Sequence, residues 1–313
     1  MLSSSYLAIL NVFICTFLSY FIAPFIKNIG NQYKIVDIPN TRKVHKVPIV
    51  RIGGLSIFSV FFVYFFSYEN IFNLGINNHQ TIYLLYTILI GSSLFFMIGI
   101  HDDIFKSSPF LRLPLQFLTA FVVFKYGINF NALNFYIPYF GEINVTLNPI
   151  VDFILTSFWI VGITNAINWL DGIDALAAGY SAILSFGLCI LMIFNSNFIG
   201  ILFFSILFGS TLGFLIRNFK PAYYIMGDCG SNFLGFCLST SGLIFLKDSA
   251  TNSINFLNLI LIFSLPIGDM LTVILGRIMR GKNIFFPDKS HFHHKLMDLN
   301  FDYKNILFLM YFY

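Results

Sequence analysis

Charged side chains are scarce in this sequence: Asp, Glu, Lys and Arg make up 10% of the 313 residues, whereas 57% are hydrophobic. A soluble domain has about a quarter of its residues charged, so the composition excludes that class and indicates an integral membrane protein. No Lys or Arg precedes the first apolar run, residues 7–26. Because a cleaved signal peptide carries basic residues before its apolar run, this run is predicted to be a retained membrane helix.

The cysteines lack any paired spacing, since Cys15, Cys189, Cys229 and Cys237 lie singly in or beside apolar runs. The sequence therefore predicts neither a disulfide framework nor a cysteine-based zinc site.

Apolar runs of membrane-spanning length recur along the chain. The longest cover residues 7–26, 52–68, 81–100, 198–216 and 257–275, and shorter ones cover 113–124, 153–167, 175–194 and 233–246. With a further run beginning near Asn305, this pattern predicts an all-α polytopic membrane protein with about ten transmembrane helices. It forms one domain over residues 1–313, whose last helix is expected to be incomplete.

The basic residues predict how the helices are oriented. All of them except Lys125 and Lys247 lie in the loops after the first, third, fifth, seventh and ninth runs. Such a bias places those loops in the cytoplasm and the N-terminus outside. The net charge of +4 then requires no nucleic acid partner. The outward segment 127–148 alternates apolar and polar residues in places and is predicted to be an extended hairpin.

Asn165, Asn168, Asp171 and Asp174 follow one another at intervals of three residues. Side chains three apart share a helix face, but over several steps that face drifts around the axis, so a break is needed to bring all four together. Gly172 is the predicted break, because glycine adopts backbone angles that other residues avoid. Such a polar turn suits a hard cation or a polar ligand, with ordinary helix capping as the alternative.

Acidic residues also stand at other helix ends. Asp102 and Asp103 end the third run, where the helix dipole and mutual repulsion disfavour them unless a cation or a shared proton is present. Asp228 stands between Gly227 and Gly230, which allow a carboxylate and backbone N–H groups to converge on a metal-bound phosphate.

Two further features concern the ninth run and the loop beyond it. Asp269 interrupts that run and is a functional candidate because ionisable groups in a span are costly, with pairing to Arg217 or Arg277 as the structural alternative. Residues 277–296 then contain three histidines among basic residues that would repel zinc, so anion binding is the better prediction. In the first loop, bases and the pair Gly53-Gly54 also suit an anion.

All five predicted cytoplasmic loops carry such a cluster. Carboxylates suited to Mg²⁺, glycine turns, and Arg, Lys and His side chains suited to phosphate are the components of a phosphoryl-transfer site. The membrane setting indicates that one reactant is a lipid.

Five stretches of this chain, in order, resemble one known family. They read D-I-P-N-T-R-K-V-H with P-I-V-R-I-G-G, G-I-H-D-D with L-R-L-P-L-Q, N-A-I-N-W-L-D-G-I-D-A-L, M-G-D-C-G-S-N-F-L-G, and R-G-K-N-I-F-F-P-D-K-S-H-F-H-H-K-L. Together they are similar to the polyprenyl-phosphate N-acetylhexosamine-1-phosphate transferases of glycosyltransferase family 4, of the WecA/TagO type. The related MraY branch, which transfers phospho-MurNAc-pentapeptide, has different first and last loops.

The resemblance implies an enzyme of a bacterial inner membrane. Its phosphotransferase reaction moves N-acetylhexosamine 1-phosphate, with N-acetylglucosamine as the expected sugar, from a UDP-sugar to undecaprenyl phosphate. The products would be undecaprenyl-diphospho-sugar and UMP, which begins a cell-envelope polysaccharide. The expected cofactor is Mg²⁺, with Mn²⁺ as a substitute, and a homodimer is compatible with the family.

The resemblance also implies roles for individual residues. Asp228 would bind Mg²⁺ with help from Asn168, Asp102 and Asp103 would engage the lipid phosphate, and Asp171 and Asp174 would lie near the nucleotide. Arg280, His291, His293 and His294 would lie near the sugar diphosphate. The remaining substrate-binding candidates are Arg42, His45, Arg51, Arg112 and Asn165.

Three alternatives stay open at this stage. The first is the MraY-type transferase. A proton-coupled transporter also has intramembrane acids, but its polar groups should lie near the midplane and not at one face. A CDP-alcohol phosphotransferase also uses Mg²⁺, but D-G-I-D-A-L lacks the arginine and the following acids of that family.

Overall fold

The computed structural model describes residues 2–38, 47–72, 79–137, 141–248, 253–283 and 290–312. Within them the chain is mainly helical. The helices are α1 Leu2–Gln32, α2 Gly54–Phe72, α3 His79–Phe105, α4 Pro109–Lys125, α5 Pro149–Leu170, α6 Leu176–Phe194, α7 Phe198–Asn218, α8 Gly227–Phe245, α9 Phe256–Ile262, α10 Ser264–Met279, α11 Phe292–Asp298 and α12 Tyr303–Phe312. The strands are β1 Val36–Asp37, β2 Ile49–Val50, β3 Ala132–Ile137, β4 Gly141–Thr146, β5 Lys247–Asp248 and β6 Ser253–Asn255.

Several of these helices have the length and composition of membrane spans. In the part of the chain that is described, five qualify, or six if the bent pair α9 and α10 is counted as one span. The chain is therefore a polytopic membrane protein. The shorter apolar segment Gly54–Ser67 lies in α2, and α8 is too rich in Gly, Ser and Thr to qualify by hydropathy.

A small sheet is an addition to the all-α class. The hairpin predicted in residues 127–148 is confirmed, because β3 and β4 pair antiparallel from Ala132 opposite Thr146 to Ile137 opposite Gly141. The sheet order is β4-β3-β6-β5, and β6 runs parallel to β3. No sequence pattern predicts β5 and β6, because they are too short to show a period of two.

Helix α8 is the most enclosed helix of the bundle, since every residue from Cys229 to Leu243 is buried. Its neighbours are α2, α3, α5 and α6. Small side chains make this enclosure feasible: a Cβ added to Gly235 would lie 2.6 Å from the Cα of Thr164 on α5. Close packing through small residues is the usual way in which membrane helices associate.

The sequence had suggested one continuous span for the ninth apolar run, but the helix is broken there. It is divided into α9 and α10, which meet at Phe263 with a bend of 81°. Pro266 lies in the first turn of α10, where its missing N–H and its ring prevent the helix from continuing unbroken from α9.

The polar motifs meet at one end of the bundle, which we call the motif end. Helices α3 and α5 end there, and α2, α4 and α8 begin there, because Arg51, Asp102, Arg112, Asn168 and Asp228 contact one another. The predicted segregation of these residues to one face is therefore confirmed. The four-stranded sheet follows the opposite ends of α4 and α8 and lies away from it.

We predict that Gly99→Ala destabilises the protein by about 1–3 kcal/mol, the usual cost of overpacking a close interface. A Cβ at Gly99 on α3 would lie 2.3 Å from the carbonyl oxygen of Asp228 on α8. Backbone atoms cannot yield as a side chain can. Thermal unfolding in detergent can be followed with a thiol-reactive dye, because all four cysteines are buried.

The matched control is Gly187→Ala on α6, where an added Cβ meets nothing within 4 Å. Alanine is favoured over glycine inside a helix by up to about 1 kcal/mol, so this variant should unfold at the same temperature or higher. Equal unfolding temperatures for the two variants would contradict the close packing of α3 against α8.

Candidate active site

Asp103 caps the N-terminus of a helix other than its own. Helix α8 has Met226 at its N-cap position and no side-chain cap from its own sequence. Asp103 supplies it from α3: Oδ1 accepts from the N–H of Asp228 and Oδ2 from the N–H of Cys229, each at 2.9 Å. Negative charge at a helix N-terminus is favourable, which explains the burial of this carboxylate at the end of α3.

The segment before α2 is fixed to the segment before α8 by backbone hydrogen bonds. Gly53 N donates to Ile225 O at 2.9 Å, and Gly54 N donates to Met226 O at 2.8 Å. The sequence had suggested that these N–H groups hold an anion, but they are already paired and are not available for one. Gly227 has φ +74°, and a Cβ there would lie 2.0 Å from the carbonyl oxygen of Arg51. Only glycine fits this position.

Two guanidinium groups join three carboxylates at the motif end. Arg51 Nε lies 2.8 Å from Asp103 Oδ1, and Arg51 Nη2 lies 3.4 Å from Asp228 Oδ1. Arg112 Nη1 lies 3.0 Å from Asp228 Oδ2 and 3.2 Å from Asp102 Oδ2. Burial lowers the pKa of Arg51, but the charges of Asp228, Asp103 and nearby acids raise it above its ordinary value. Arg51 is thus a permanent positive charge in this cluster.

Asn168 fixes the remaining side of Asp228. Its Nδ2 donates to Asp228 Oδ1 at 3.0 Å and to Ser231 Oγ at 2.8 Å. With Nδ2 so assigned, no described residue donates to Asn168 Oδ1, which stays available as a ligand atom. The pairing of Asn168 with Asp228 that the resemblance implied is therefore present.

The turn from Asp171 to Ala175 joins α5 to α6. The predicted break at Gly172 is confirmed, because α5 ends at Leu170 and α6 begins at Leu176. The left-handed residue of the turn is Ala175, with φ +65°, and not the glycine. Three hydrogen bonds hold this turn: Asn218 Oδ1 accepts from Ala175 N, and the hydroxyls of Tyr303 and Tyr311 donate to the carbonyl oxygens of Asp174 and Ala175. Helix α12, in the last described part of the chain, therefore stabilises the turn through its two tyrosine hydroxyls.

Asp171, which ends α5, belongs electrostatically to the same cluster. Burial raises the pKa of Asp171 well above its usual range, and the charges of Asp228 and Asp103 raise it further. Asp174 lies in the wall of a pocket described below, and its charge also raises the pKa of Asp171.

Gly172 has a packing role. A Cβ on Gly172 would lie 2.3 Å from Nε2 of His293, so the imidazole occupies the space that any side chain would need. His293 is 1% exposed, and neither ring nitrogen has a hydrogen-bond partner within the described ranges. Burial, with His294 and His291 nearby, lowers the pKa of His293 to about 3. It is therefore a neutral ring that packs against the turn.

The other candidates of the last loop are distributed around this ring. His291 is hydrogen-bonded to Asp269 of α10, and the ring centroid of His294 lies 4.3 Å from that of His293. Arg280 is exposed at the end of α10, where its Nε donates to Gly276 O. Arg42 and His45 lie outside the described residues.

The cluster holds more carboxylates than guanidiniums. Those of Asp102, Asp103, Asp171 and Asp228 face Arg51 and Arg112, so full ionisation would leave an excess of two negative charges, which the raised pKa of Asp171 opposes. A divalent cation would neutralise this excess, and carboxylate and amide oxygens are the ligands that Mg²⁺ prefers. The residues present therefore fit Mg²⁺. Among the described residues no group of three or more His, Cys, Asp and Glu is arranged as a metal site.

An apolar groove of about 450 Å³ runs between α4, α5 and α10 and reaches this cluster. Phe117, Phe158 and Ile274 are among the side chains that line it, and Arg112, Asn165 and Trp169 are its polar or amphipathic members. Asn165 is otherwise held by Gln116, whose Oε1 accepts from Asn165 Nδ2 at 2.7 Å. The groove therefore joins an apolar surface to the arginine that contacts Asp102 and Asp228.

A second cavity, of about 400 Å³, lies between the end of α1, the segment before α2 and the segment after α7. Its lining includes Lys27, Lys220, Asp174 and Tyr223, together with Val50, the neighbour of Arg51. Lys27 Nζ stands 3.7 Å from the centroid of the Tyr223 ring. We call it the lysine pocket. Its chemistry suits a ligand with negative charge and a planar ring.

Sequence reasoning missed several residues of these surfaces. Lys27 and Lys220 counted only toward the charge bias of the loops. Gln116 lies one turn after Arg112, and Trp169 lies between Asn168 and Leu170 in the motif itself. The interruption of a strongly apolar chain by an amide or an indole was the signal that could have identified the last two.

Comparison with known proteins agrees with the geometry. The family model described as Glycosyl transferase family 4 matches residues 85–246. The chain is 33% identical, over 99% of its length and 83% of the relative's, to the probable undecaprenyl-phosphate N-acetylglucosaminyl 1-phosphate transferase of Bacillus subtilis (strain 168). It is 28% identical to the decaprenyl-phosphate N-acetylglucosaminephosphotransferase of Mycobacterium leprae, over 94% of the chain and 78% of the relative.

A third relative is the undecaprenyl-phosphate alpha-N-acetylglucosaminyl 1-phosphate transferase of Escherichia coli (strain K12). The chain is 28% identical to it over 94% of its own length and 76% of the relative's. The matched region includes Asp102, Arg112, Asn168 and Asp228, the residues that the fold brings together at the motif end. The protein belongs to glycosyl transferase family 4.

Proposed function

We propose that this protein transfers N-acetylglucosamine 1-phosphate from UDP-N-acetylglucosamine to undecaprenyl phosphate in a bacterial inner membrane. An oxygen of the lipid phosphate would attack the β-phosphorus of the donor. The bond between that phosphorus and the oxygen bridging to the α-phosphate would break, and UMP would leave. The observation that carries the proposal is the position of Arg112, which contacts Asp102 and Asp228 and also lies at the end of an apolar groove. The product would begin a cell-envelope polysaccharide.

The groove between α4, α5 and α10 supports a prenyl lipid as acceptor. Its apolar walls would accept the isoprenoid chain from the membrane, and Arg112 at its end would meet the phosphate as a charge-assisted hydrogen-bond donor. A transporter is less well supported, because the charged groups gather at helix ends and not at a midplane path. The names of the three relatives favour N-acetylglucosamine over phospho-MurNAc-pentapeptide.

The lysine pocket supports a nucleotide donor. Lys27 and Lys220 supply positive charge, Tyr223 holds Lys27 over its ring, and Asp174 supplies hydrogen-bond acceptors. With the uridine held there, the diphosphate would extend past Arg51 toward Asp228. This position agrees with the role near the nucleotide that the resemblance implied for Asp174.

Mg²⁺ would be held by Asp228 and by Asn168 Oδ1. This assignment is supported by the preference of Mg²⁺ for carboxylate and amide oxygens as ligands. When bound, it polarises the diphosphate and neutralises developing charge. The protein's own part is to hold Asp228 between Arg51, Arg112 and Asn168 and to keep the guanidiniums close to the transferred phosphate. Because both oxygens of Asp103 accept hydrogen bonds from α8, Asp102 is the acid left to accept a proton from the lipid phosphate.

For the orientation of the chain we propose an outward N-terminus and a cytoplasmic motif end, supported by the distribution of basic residues. The prediction uses new cysteines at Lys282 and Glu142, which are exposed, in a protein whose own cysteines are buried. An impermeant maleimide applied to intact cells should label Glu142→Cys and leave Lys282→Cys unlabelled. The reverse pattern would invert the topology, and labelling at both positions would show that the membrane was leaky.

The experiment that tests the function uses the purified full chain with undecaprenyl phosphate, Mg²⁺ and radiolabelled UDP-sugars. Label from UDP-N-acetylglucosamine should pass into the organic phase, with one UMP released per lipid-linked sugar. UDP-N-acetylgalactosamine and UDP-MurNAc-pentapeptide are the comparison donors. Transfer from the pentapeptide donor alone would establish the MraY-type reaction, and no transfer from any donor would refute the proposal.

We predict that Asp228→Asn lowers kcat at least 10²-fold and leaves the fold intact. The amide keeps the shape of the side chain but is a poorer ligand for a cation that supplies several kcal/mol to the transition state. Asp298→Asn, the same change at an exposed position of α11, is the control and should retain full activity. Activity of Asp228→Asn within a few fold of that control would remove Asp228 from the site.

Asp102 and Asp103 should differ in what their removal does. Asp103→Asn can accept only one of the two N–H groups of α8, so it should destabilise the protein by about 1–3 kcal/mol and lower kcat/KM equally at every pH. Asp102→Asn should keep its stability and lose activity chiefly at low pH. A phosphomonoester has a second pKa of about 6, so the share of lipid phosphate that still needs a proton acceptor is largest at the acidic end of a series from roughly pH 6 to 9.

The measurement is kcat/KM for both variants at roughly pH 6 to 9, together with thermal unfolding. Parallel pH profiles and equal unfolding temperatures would show that the two acids act as one electrostatic unit. That result would contradict the division of roles.

A further inference from the structure

Asp269 is a charged residue that the proposed reaction has not used. It is fully buried on α10, and both carboxylate oxygens are occupied. Oδ2 lies 2.8 Å from His291 Nδ1, and Oδ1 accepts from the N–H of Phe292 at 2.7 Å. Neither arginine considered from the sequence is its partner: Arg217 stacks on Tyr20 of α1, and Arg277 lies 5.2 Å from the Trp169 ring.

His291 lies beside the motif turn. Its ring is perpendicular to that of Trp169 at 5.5 Å and nearly parallel to that of His293 at 5.7 Å. Trp169 follows Asn168 in the chain, and His293 packs on Gly172. The His291 side chain is therefore held next to the segment that carries Asn168 and Asp171.

The exposure of the two partners differs. The side chain of Asp269 is 1% exposed, whereas that of His291 is 11% exposed. The carboxylate side of the pair is thus closed, whereas the imidazole, itself largely buried, keeps a small exposed fraction. Because Nδ1 is turned to Asp269, Nε2 is the ring nitrogen left to meet a ligand.

Attachment of the loop to α10 does not by itself require a charge. The N–H of Phe292 could be capped by an amide, and an apolar side chain could fill the space at lower desolvation cost. A carboxylate has a further effect on an imidazole: it fixes the proton on the near nitrogen, sets the ring orientation and stabilises the protonated form. A buried Asp bonded to a partly exposed His therefore indicates control of that histidine.

We propose that Asp269 is a positioning residue for the sugar-nucleotide donor: it holds His291 with Nδ1–H toward α10 and so presents Nε2 to the donor's diphosphate. The identity of the ligand rests on the proposed function, whereas the arrangement of Asp269 and His291 does not depend on it. His291 would be the contact residue, and Asp269 would act only through it.

The first test is a double-mutant cycle on the purified enzyme. Asp269→Asn should raise KM for UDP-N-acetylglucosamine about tenfold and leave KM for undecaprenyl phosphate unchanged. In a His291→Ala background the same substitution should change the donor KM less than twofold, because residues that act through one contact are not additive. Equal effects in both backgrounds would overturn the proposal.

Two amide substitutions of His291 distinguish the ring nitrogens. The amide of Gln lies near the position of Nε2, and that of Asn lies near Nδ1. His291→Gln should therefore retain more donor affinity than His291→Asn. The reverse order would make Nδ1 the ligand contact and would contradict the assignment.

The second test does not depend on activity. In protein labelled with ¹⁵N-histidine, the signals of His291 are identified by their absence in His291→Gln. They should show a protonated Nδ1 in the wild type and a changed proton distribution in Asp269→Leu. A wild-type His291 protonated on Nε2 alone would overturn the pair as described, whatever the substrate is.

The two tests separate the possible failures. If the wild type transfers no sugar phosphate but His291 carries its proton on Nδ1, the proposed function fails and the pair stands. If Asp269→Asn lowers only the unfolding temperature and the folded fraction keeps its donor KM, Asp269 is a loop anchor and the inference fails.

Discussion

The capping of α8 by Asp103 is the interaction on which the site depends. A helix that begins inside a bundle has N–H groups without partners, and leaving them buried and unpaired costs free energy. Because Asp103 satisfies two of them, the end of α3 must lie directly under the start of α8. Gly99 and Gly227 make that approach sterically feasible. Asp102 and Asp228 are brought together as a consequence, each being the neighbour of a residue in the cap.

This construction concentrates negative charge where the bundle is partly closed to water, and the arginines limit the cost. Arg51 is aligned by the backbone pairing of its segment with residues 225–226, and Arg112 reaches the cluster from the first turn of α4. Two guanidiniums do not balance the nearby acids when all are ionised, and burial together with the charges of Asp228 and Asp103 raises the pKa of Asp171. A site of this kind gains free energy when a cation enters it. If the proposed Mg²⁺ binds here, part of the stability of the motif end would depend on its occupancy.

The sequence was informative where the chemistry is local and uninformative where it depends on helix packing. The gathering of the polar motifs at one end followed from loop charges and is confirmed by the contacts of Asp228 with Arg51, Arg112 and Asn168. The different roles of Asp102 and Asp103 could not be separated, because adjacent residues carry the same local signal and only α8 distinguishes them. Gly172 was assigned to backbone freedom, whereas its space is taken by His293, a residue more than a hundred positions away. Asp269 was recognised as costly, but its partner lay in a loop whose path over α10 no periodicity reveals.

Helix α10 relates the two proposed substrates to each other. It is bent relative to α9, and the side chains on its different faces have different surroundings. Met270 and Ile274, four residues apart, line the apolar groove, whereas Asp269 and Val273 are buried against the rest of the protein. Successive residues diverge by about 100° on a helix, so a helix can place a lipid-facing and a histidine-facing side chain next to each other in sequence. The same helix thus forms a wall of the acceptor groove on one side and positions His291 on the other. A shift of α10 along its axis would move both, and the rigid attachment of Asp269 to His291 and Phe292 opposes such a shift.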